Sequence, residues 1–418
     1  MSQRELIRQT TALILAGGLG TRFMPLTKDR AKPAVPFAGK YRLIDIPVSN
    51  CLNSGFGRIL VMTQTLAQSL NQHIHKAWAP LFPAERDNFI EVVSPQQRVG
   101  KKWYEGTADC VHQNLFRIGQ DNPRWVIILS ADHLYRMNYL DLLQFHVDHD
   151  ADVTIASIPV PLQDAKHFGI LETDANHQVS KFKEKPKTKV KAMPGLPGHC
   201  MASMGIYVWN TRALVASLEC CVNIQREEHD FGKHVIPEAL ASKMRVSAYP
   251  FVDEQNNPCY WQDVGRLKTY HQAHMELMSP NPRFDLYDND WSWHTAPTHL
   301  PLAKIPLSAR IRGGSMISDG CIIDEADIDR SILSPNVRVG KNVTIVNSLV
   351  FDNVEIGDGA HIENAIIDKH NVIPANAIIS PGQVCGFDLD PLTKIEDGII
   401  AIPKRNIPWC GWVNPEHR

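Results

Sequence analysis

Four short stretches carry residue types whose combination suits phosphate chemistry. The first is Gly17-Gly18-Leu19-Gly20-Thr21-Arg22, directly after the apolar run Ala12-Leu13-Ile14-Leu15-Ala16. Glycines at 17, 18 and 20 let the backbone turn tightly and approach an anion, Thr21 continues the loop, and Arg22 adds a permanent forked cation. The spacing is not that of a P-loop. It also departs from the dinucleotide fingerprint, because Phe23 stands where a third glycine belongs. Arg30-Ala31-Lys32-Pro33-Ala34-Val35-Pro36 follows, and its prolines predict an extended segment. Arg22 and Lys32 together suit a triphosphate in a transfer that needs no covalent intermediate.

The second stretch is Ile127-Ile128-Leu129-Ser130-Ala131-Asp132-His133, an apolar strand pattern ending in one carboxylate. An acid at a strand's carboxyl end, near cations, can hold Mg²⁺ against a triphosphate; a helix N-cap is the plainer alternative. The third, Tyr260-Trp261-Gln262-Asp263, offers a second acid for the same ion. In the fourth, Phe182-Lys183-Glu184-Lys185-Pro186, the Glu184 carboxylate can accept from sugar hydroxyls and the Lys185 ammonium can pair with a phosphate monoester. The lysines beyond it, at 187, 189 and 191, read as a solvated loop.

These stretches need a scaffold that presents strand ends. Through residue 280, β-branched runs such as 59–63, 125–130 and 152–157 alternate with amphipathic segments, which predicts an α/β domain with a mostly parallel sheet. In such sheets ligands bind beyond the carboxyl ends of the strands. Residues 281–310, with Trp291 and Trp293 and prolines at 282, 297, 301 and 306, read as a linker that packs. From 311 to 418 aliphatic residues recur every six positions, at Met316, Ile322 and Ile328, then Val339 and Ile345, Ile356 and Ile362, and Ile367, Ile373 and Ile379. That period predicts a triangular β-helix with Gly340, Gly357 and Gly359 at its corners, its phase slipping between blocks; a β-sandwich would not favour every sixth residue.

Bulk properties exclude several classes. The 418 residues are 44% hydrophobic, enough for two or three cores, and 43 Lys plus Arg against 45 Asp plus Glu leave no basic footprint for nucleic acid. No run is long enough to span a membrane, so the reading is a soluble, cytoplasmic protein. Nine cysteines without a Cys-x-x-Cys pair read as reduced, mostly buried thiols, and the histidine pairs 73/75, 146/149 and 271/274 lack the further ligands of a metal centre.

The segments 16–22, 30–35, Tyr41-Arg42-Leu43-Ile44-Asp45-Ile46-Pro47-Val48-Ser49-Asn50-Cys51, Trp103-Tyr104-Glu105-Gly106-Thr107-Ala108-Asp109, 184–186 and Ala202-Ser203-Met204-Gly205-Ile206-Tyr207 resemble glucose-1-phosphate adenylyltransferases, over nearly the whole chain. The resemblance implies a Rossmann-like nucleotidyltransferase domain with a mixed, mostly parallel sheet, followed by a left-handed parallel β-helix. It implies transfer of the adenylyl group of ATP to α-D-glucose 1-phosphate with release of pyrophosphate, the committed step of glycogen synthesis, with Mg²⁺ as cofactor. Arg22, Lys32 and Asp132 would then be catalytic, and Asp132 and Asp263 metal ligands. Gly17, Gly18, Gly20, Thr21, Gln96, Gly106 and Thr107 would bind the nucleotide; Tyr104, Gly169, Glu184, Lys185 and Ser203 would bind glucose 1-phosphate. Gln64 and Trp103 would couple effector and substrate sites, and Arg30 and Arg42 would meet small-molecule effectors, in a homotetramer.

Three residues depart from the pattern of enteric members. Leu19 replaces a frequent arginine, Asp29 a lysine of the sugar-bisphosphate site, and Pro36 a histidine of the same site. An acid at 29 repels a bisphosphate, so a weak or different activator response is expected. Two rivals stand beside this reading. One is a weakly catalytic regulatory subunit, which the presence of Arg22, Lys32, Asp132 and Lys185 disfavours. The other is an additional acyltransferase, which the short, phase-broken coil region disfavours.

Overall fold

The computed structural model describes residues 1–18, 20–83, 87–96, 103–193, 195–222, 224 and 228–405; Leu19 lies outside them. The chain forms two compact units. The first comprises 1–18, 46–67 and 71–261, and the second the described parts of 19–45, 68–70 and 262–418.

In the first unit, aliphatic and β-branched segments form one mixed sheet. Its strands are β1 (Thr10–Leu15), β2 (Arg58–Met62), β3 (Phe89–Val93), β4 (Trp125–Ser130), β5 (Val153–Pro161), β6 (Gly169–Thr173), β7 (Val179–Glu184), β8 (His199–Asn210) and β9 (Val246–Pro250). The main path runs β7-β6-β8-β4-β1-β2-β3, and β5 joins β8 to β9. The heart, β4-β1-β2-β3, is parallel, with Leu15 paired to Ser130 and Met62 to Val93. Its carboxyl ends therefore deliver Gly17, Gln64, Gln96 and Asp132 on neighbouring strands, where an α/β sheet exposes its ligand crevice. Burial on both faces keeps it in register: Leu13, Leu60, Val126, Ile128 and Trp209 are fully buried in one cluster.

In the second unit, residues 310–380 wind as parallel coils, and Ile399–Ile402 rejoins their stack after two short strands that pair antiparallel. Ile328 pairs with Ile345, Ile345 with Ile362 and Ile362 with Ile379, so each coil takes 17 residues. Two sides of six and one of five explain the phase slip. The slip also corrects two inward assignments: Ile322 is 37% exposed with Ile323 filling the core in its place, and Ile317 rather than Met316 packs against that core. The other corners turn differently from expectation as well. Only Gly359 of the three glycines has a left-handed φ, at 69°, whereas Asn336, Asn342, Asn347, Asn353, Asn364 and Asn376 all adopt it. Asparagine tolerates this region because its short amide bonds locally. Gly357 is needed for space, since a Cβ there would lie 2.6 Å from the backbone N of Ala375.

The segment 281–310 packs in its first half, where Phe284 lies 4.7 Å from the Trp293 ring and 6.0 Å from Phe37. Its second half is open, with Leu302 86% exposed. Among the described residues, no helix is long and apolar enough to cross a membrane.

Candidate active site

The glycine loop begins where β1 ends. Gly18 has φ 111° with open space around it, and Gly20 has φ 60°, so both take conformations that a side chain would strain. A Cβ on Gly17 would make ordinary contact with Gln64, 3.6 Å from Oε1, and the Gln64 amide donates to the Tyr104 carbonyl at 3.4 Å. On neighbouring β4, the strand's last residue, Ser130, donates to Asp132 Oδ1, and His133 Nε2 lies 3.6 Å from the same oxygen.

In the second unit, Thr21–Phe23 forms one 3₁₀ turn. It buries Phe23 and leaves Arg22 exposed. The 30–36 stretch is not extended throughout, because Lys32–Ala34 is a second 3₁₀ turn. Proline's fixed φ suits the opening of such a turn, so Pro33 starts it rather than preventing it. The turn aims the Lys32 ammonium over the Phe23 ring, 5.6 Å from its centroid, and to within 3.8 Å of Asp263 Oδ1. Gly265 leaves that carboxylate room, since a Cβ there would stand 2.9 Å from Oδ1.

Of the sugar-directed residues, Gly169, Glu184 and Lys185 come together within the first unit. Gly169 pairs with Glu184 across β6 and β7. The Glu184 carboxylate lies in a cradle that a Cβ on Gly169 would approach to 2.8 Å and one on Gly232 to 2.7 Å. Lys185, at φ 42°, brings its ammonium to 3.1 Å from Glu184 Oε1 while remaining half-exposed. Ser203 is buried on β8, its hydroxyl accepts from the Gly205 N–H at 3.2 Å, and the register against β5 shifts between Ser203 and Tyr207.

Two neighbours of this cluster, Tyr207 and Asp230, are not marked by the sequence alone. Burial raises the Tyr207 phenol's pKa, and the nearby acids Asp230 and Glu184 add to the shift. Its ring stacks on Phe231 at 5.7 Å. Asp230 accepts from Thr107 Oγ1 at 3.1 Å and caps the turn that follows through the Lys233 N–H at 3.0 Å. No local sequence signal marks Asp230; Tyr207 lies within a segment already tied to the resemblance, which was the available signal.

Other assigned residues lie elsewhere. Gly106, at φ 128°, cannot carry a Cβ, which would meet the His229 carbonyl at 2.2 Å; this sets Thr107 against Asp230. The Tyr104 phenol is turned into the core, accepting from Asn114 at 2.9 Å, and burial pushes its pKa up to about 12. Gln96 and Trp103 are exposed. Arg30 is buried and donates to both Asp368 oxygens, at 2.7 and 2.5 Å. Arg42 bonds the Ser69 carbonyl at 2.9 Å; burial lowers its pKa, with Asp45 partly offsetting this. Asp29 is exposed, and the Pro36 carbonyl accepts from the Tyr270 hydroxyl. Three of the paired histidines are held within the fold: His146 by Thr154 and Asn210, His271 by the Asn347 carbonyl, and His274 by the Ala38 N–H.

A parallel sheet presenting a glycine loop and a strand-end acid, in a chain that closes with a hexapeptide coil, defines a nucleotidyl transferase. Residues 11–279 match the nucleotidyl transferase family, and 308–402 match the GlmU-like C-terminal hexapeptide family. The chain is 42% identical over 411 residues to a glucose-1-phosphate adenylyltransferase of Anaeromyxobacter sp. (strain Fw109-5), covering 94% of this chain and 97% of that one. A protein of the same name from Methylococcus capsulatus is 44% identical over 403 residues, covering 95% and 94%. The chain belongs to the glucose-1-phosphate adenylyltransferase family.

Proposed function

We propose that this protein transfers the adenylyl group of ATP to α-D-glucose 1-phosphate, giving ADP-glucose and pyrophosphate. The observation that carries the reading is the Lys32 ammonium, 3.8 Å from Asp263 and beside the turn bearing Arg22. It sets a cation next to a hard oxygen donor, the combination a metal-bound triphosphate requires.

The glucose 1-phosphate oxygen attacks the α-phosphorus of ATP, and pyrophosphate leaves in line. Backbone N–H groups of Gly17, Gly18, Gly20 and Thr21 meet the phosphates, while Arg22 and Lys32 neutralise charge that grows on the departing oxygens. Asp132 and Asp263 are hard carboxylates that suit Mg²⁺, which supplies further charge neutralisation when bound. Lys185 pairs with the sugar phosphate, and Glu184, Ser203, Tyr207 and Asp230 orient the glucose hydroxyls. Gln96, Gly106 and Thr107 serve the adenine side. Gln64 and Trp103 couple regulation to catalysis, and Arg42 contributes to an effector region that Arg30 supports from its buried pair with Asp368.

This reading includes a catalytic body to residue 280, a linker to 310 and a coil domain beyond, supported by the matched spans 11–279 and 308–402. It also includes a cytoplasmic homotetramer that responds to small metabolites. Lys185→Ala tests the sugar-phosphate assignment: the apparent KM for glucose 1-phosphate should rise at least tenfold with little change for ATP, and an unchanged KM would contradict it.

A further inference from the structure

The proposed reaction gives no role to the residues that hold Asp132. β4 is apolar and fully buried from Trp125 to Leu129, and it ends on the half-buried hydroxyl of Ser130. An aliphatic or β-branched residue would continue the strand's own pattern. Instead Ser130 Oγ donates to Asp132 Oδ1, two residues on, and His133 Nε2 lies 3.6 Å from the same oxygen. Both neighbours address one oxygen, while the Asp132 side chain stays 30% exposed. No helix follows for this acid to cap, because His133–Tyr135 is a short strand.

The arrangement is braced on three sides, all within the first unit. Ser130 pairs in register with Leu15, whose strand leads into Gly17 and Gly18. Gly205 covers Ser130 and His133 together: a Cβ there would lie 3.9 Å from Ser130 Cβ and 3.8 Å from His133 Cε1, and its N–H donates to Ser203. The His133 ring stands edge-on to Trp261 at 5.1 Å, and Trp261 edge-on to Phe168 at 5.4 Å. The Phe168 carbonyl in turn accepts from the Lys185 N–H at 3.0 Å.

A carboxylate at a strand end rotates freely unless something holds it, and ordering it when a metal arrives costs free energy. A charge-assisted hydrogen bond to one oxygen supplies that order beforehand. It also favours the ionised form, which is the form a hard cation binds. We infer that Ser130 is a positioning residue for the reaction: its hydroxyl orients the Asp132 carboxylate for the divalent cation, with His133 and Gly205 closing the space around it. The inference rests on the proposed metal role of Asp132.

The test uses Mn²⁺, read by water-proton relaxation, so no turnover is needed. The full chain is titrated together with an ATP analogue carrying a methylene bridge between the α- and β-phosphorus, which cannot release pyrophosphate. Ser130→Ala should weaken Mn²⁺ binding roughly tenfold, the scale on which metal affinity falls when a ligand loses its hydrogen-bond partner. Ser130→Thr keeps the hydroxyl and suits a strand, so it should bind Mn²⁺ close to the wild type. With Mg²⁺ and ATP, Ser130→Ala should lower kcat and leave the KM for glucose 1-phosphate unchanged. A role confined to strand packing would lower the melting temperature and leave Mn²⁺ affinity in place, which overturns the inference. So does a Ser130→Thr protein as weak as Ser130→Ala, since shape rather than the hydroxyl would then be at work. Asp132→Asn tells the two failures apart. If it weakens Mn²⁺ while Ser130→Ala does not, the positioning role alone falls; if it leaves Mn²⁺ affinity unaltered, the metal role of Asp132 falls and the positioning role with it.

Discussion

Gly169 and Glu184 face each other across paired strands, and the missing side chain of the glycine is the space that the carboxylate fills. A Cβ at 169 would lie 2.8 Å from Glu184 Oε2 and 2.4 Å from Phe182 Cζ. The φ of Gly169 is not left-handed, so alanine is excluded by crowding alone. Gly169→Ala should therefore displace Glu184 and raise the KM for glucose 1-phosphate about tenfold or more, the consequence of losing ~1.4 kcal/mol of oriented binding. Steady-state kinetics at saturating ATP would measure it, and an unchanged KM would mean that Glu184 does not touch the sugar.

The Lys32–Asp263 pair yields a different signature. Lys32→Ala should lower kcat by roughly 10²–10³, the scale seen when one electrostatic stabiliser of a transition state is removed. Asp263→Asn should instead shift the Mg²⁺ dependence to higher concentration, because an amide is a weaker ligand for a hard cation. A Mg²⁺ titration at fixed ATP distinguishes them; an unshifted midpoint in Asp263→Asn would remove that residue from the metal site.

Arg30 is tied to Asp368 inside the second unit, and both side chains are nearly inaccessible. Arg30→Ala leaves a buried carboxylate without its cation, which costs about 3–5 kcal/mol where such pairs are broken on one side. Thermal melts should show a large loss for Arg30→Ala and a much smaller one for Arg30→Ala/Asp368→Asn. With Arg30 so engaged and Asp29 beside it, fructose 1,6-bisphosphate should accelerate initial rates little; strong activation would contradict this.

Acid sensitivity should come from buried histidines. Burial lowers the pKa of His146 to about 4 and of His274 to about 3. As pH falls below 6.5 the unfolded chain takes up protons that the native histidines refuse, so stability declines down to those depressed values. For His146 the loss reaches about 2 kcal/mol by pH 5, at ~1.4 kcal/mol per unit. Melting curves from pH 7 to pH 5 should show the decline, and His146→Gln should flatten it; equal slopes in both proteins would contradict the assignment.

Much of this was legible in the sequence because the signals are local. Asp132 ends an apolar strand, Glu184 and Lys185 adjoin a proline, and a six-residue aliphatic period marks the coils. Features set by distant partners were not. Tyr207 stacks on Phe231 from a distant strand, and Asp230 comes beside Glu184 only where the two flank Gly232, far from Glu184 in the chain. Neither the Arg30–Asp368 pair nor the outward turn of Ile322 could be read locally, since a 17-residue coil shifts which of two adjacent isoleucines meets the core.

The most direct test is pyrophosphate release from the purified protein with Mg²⁺ across a matrix of nucleoside triphosphates and sugar 1-phosphates, with acetyl-CoA as an added arm. Pyrophosphate should appear in step with ADP-glucose, for ATP with α-D-glucose 1-phosphate far above any other pair. No release from that pair, or clear preference for another nucleotide or sugar phosphate, would contradict the account.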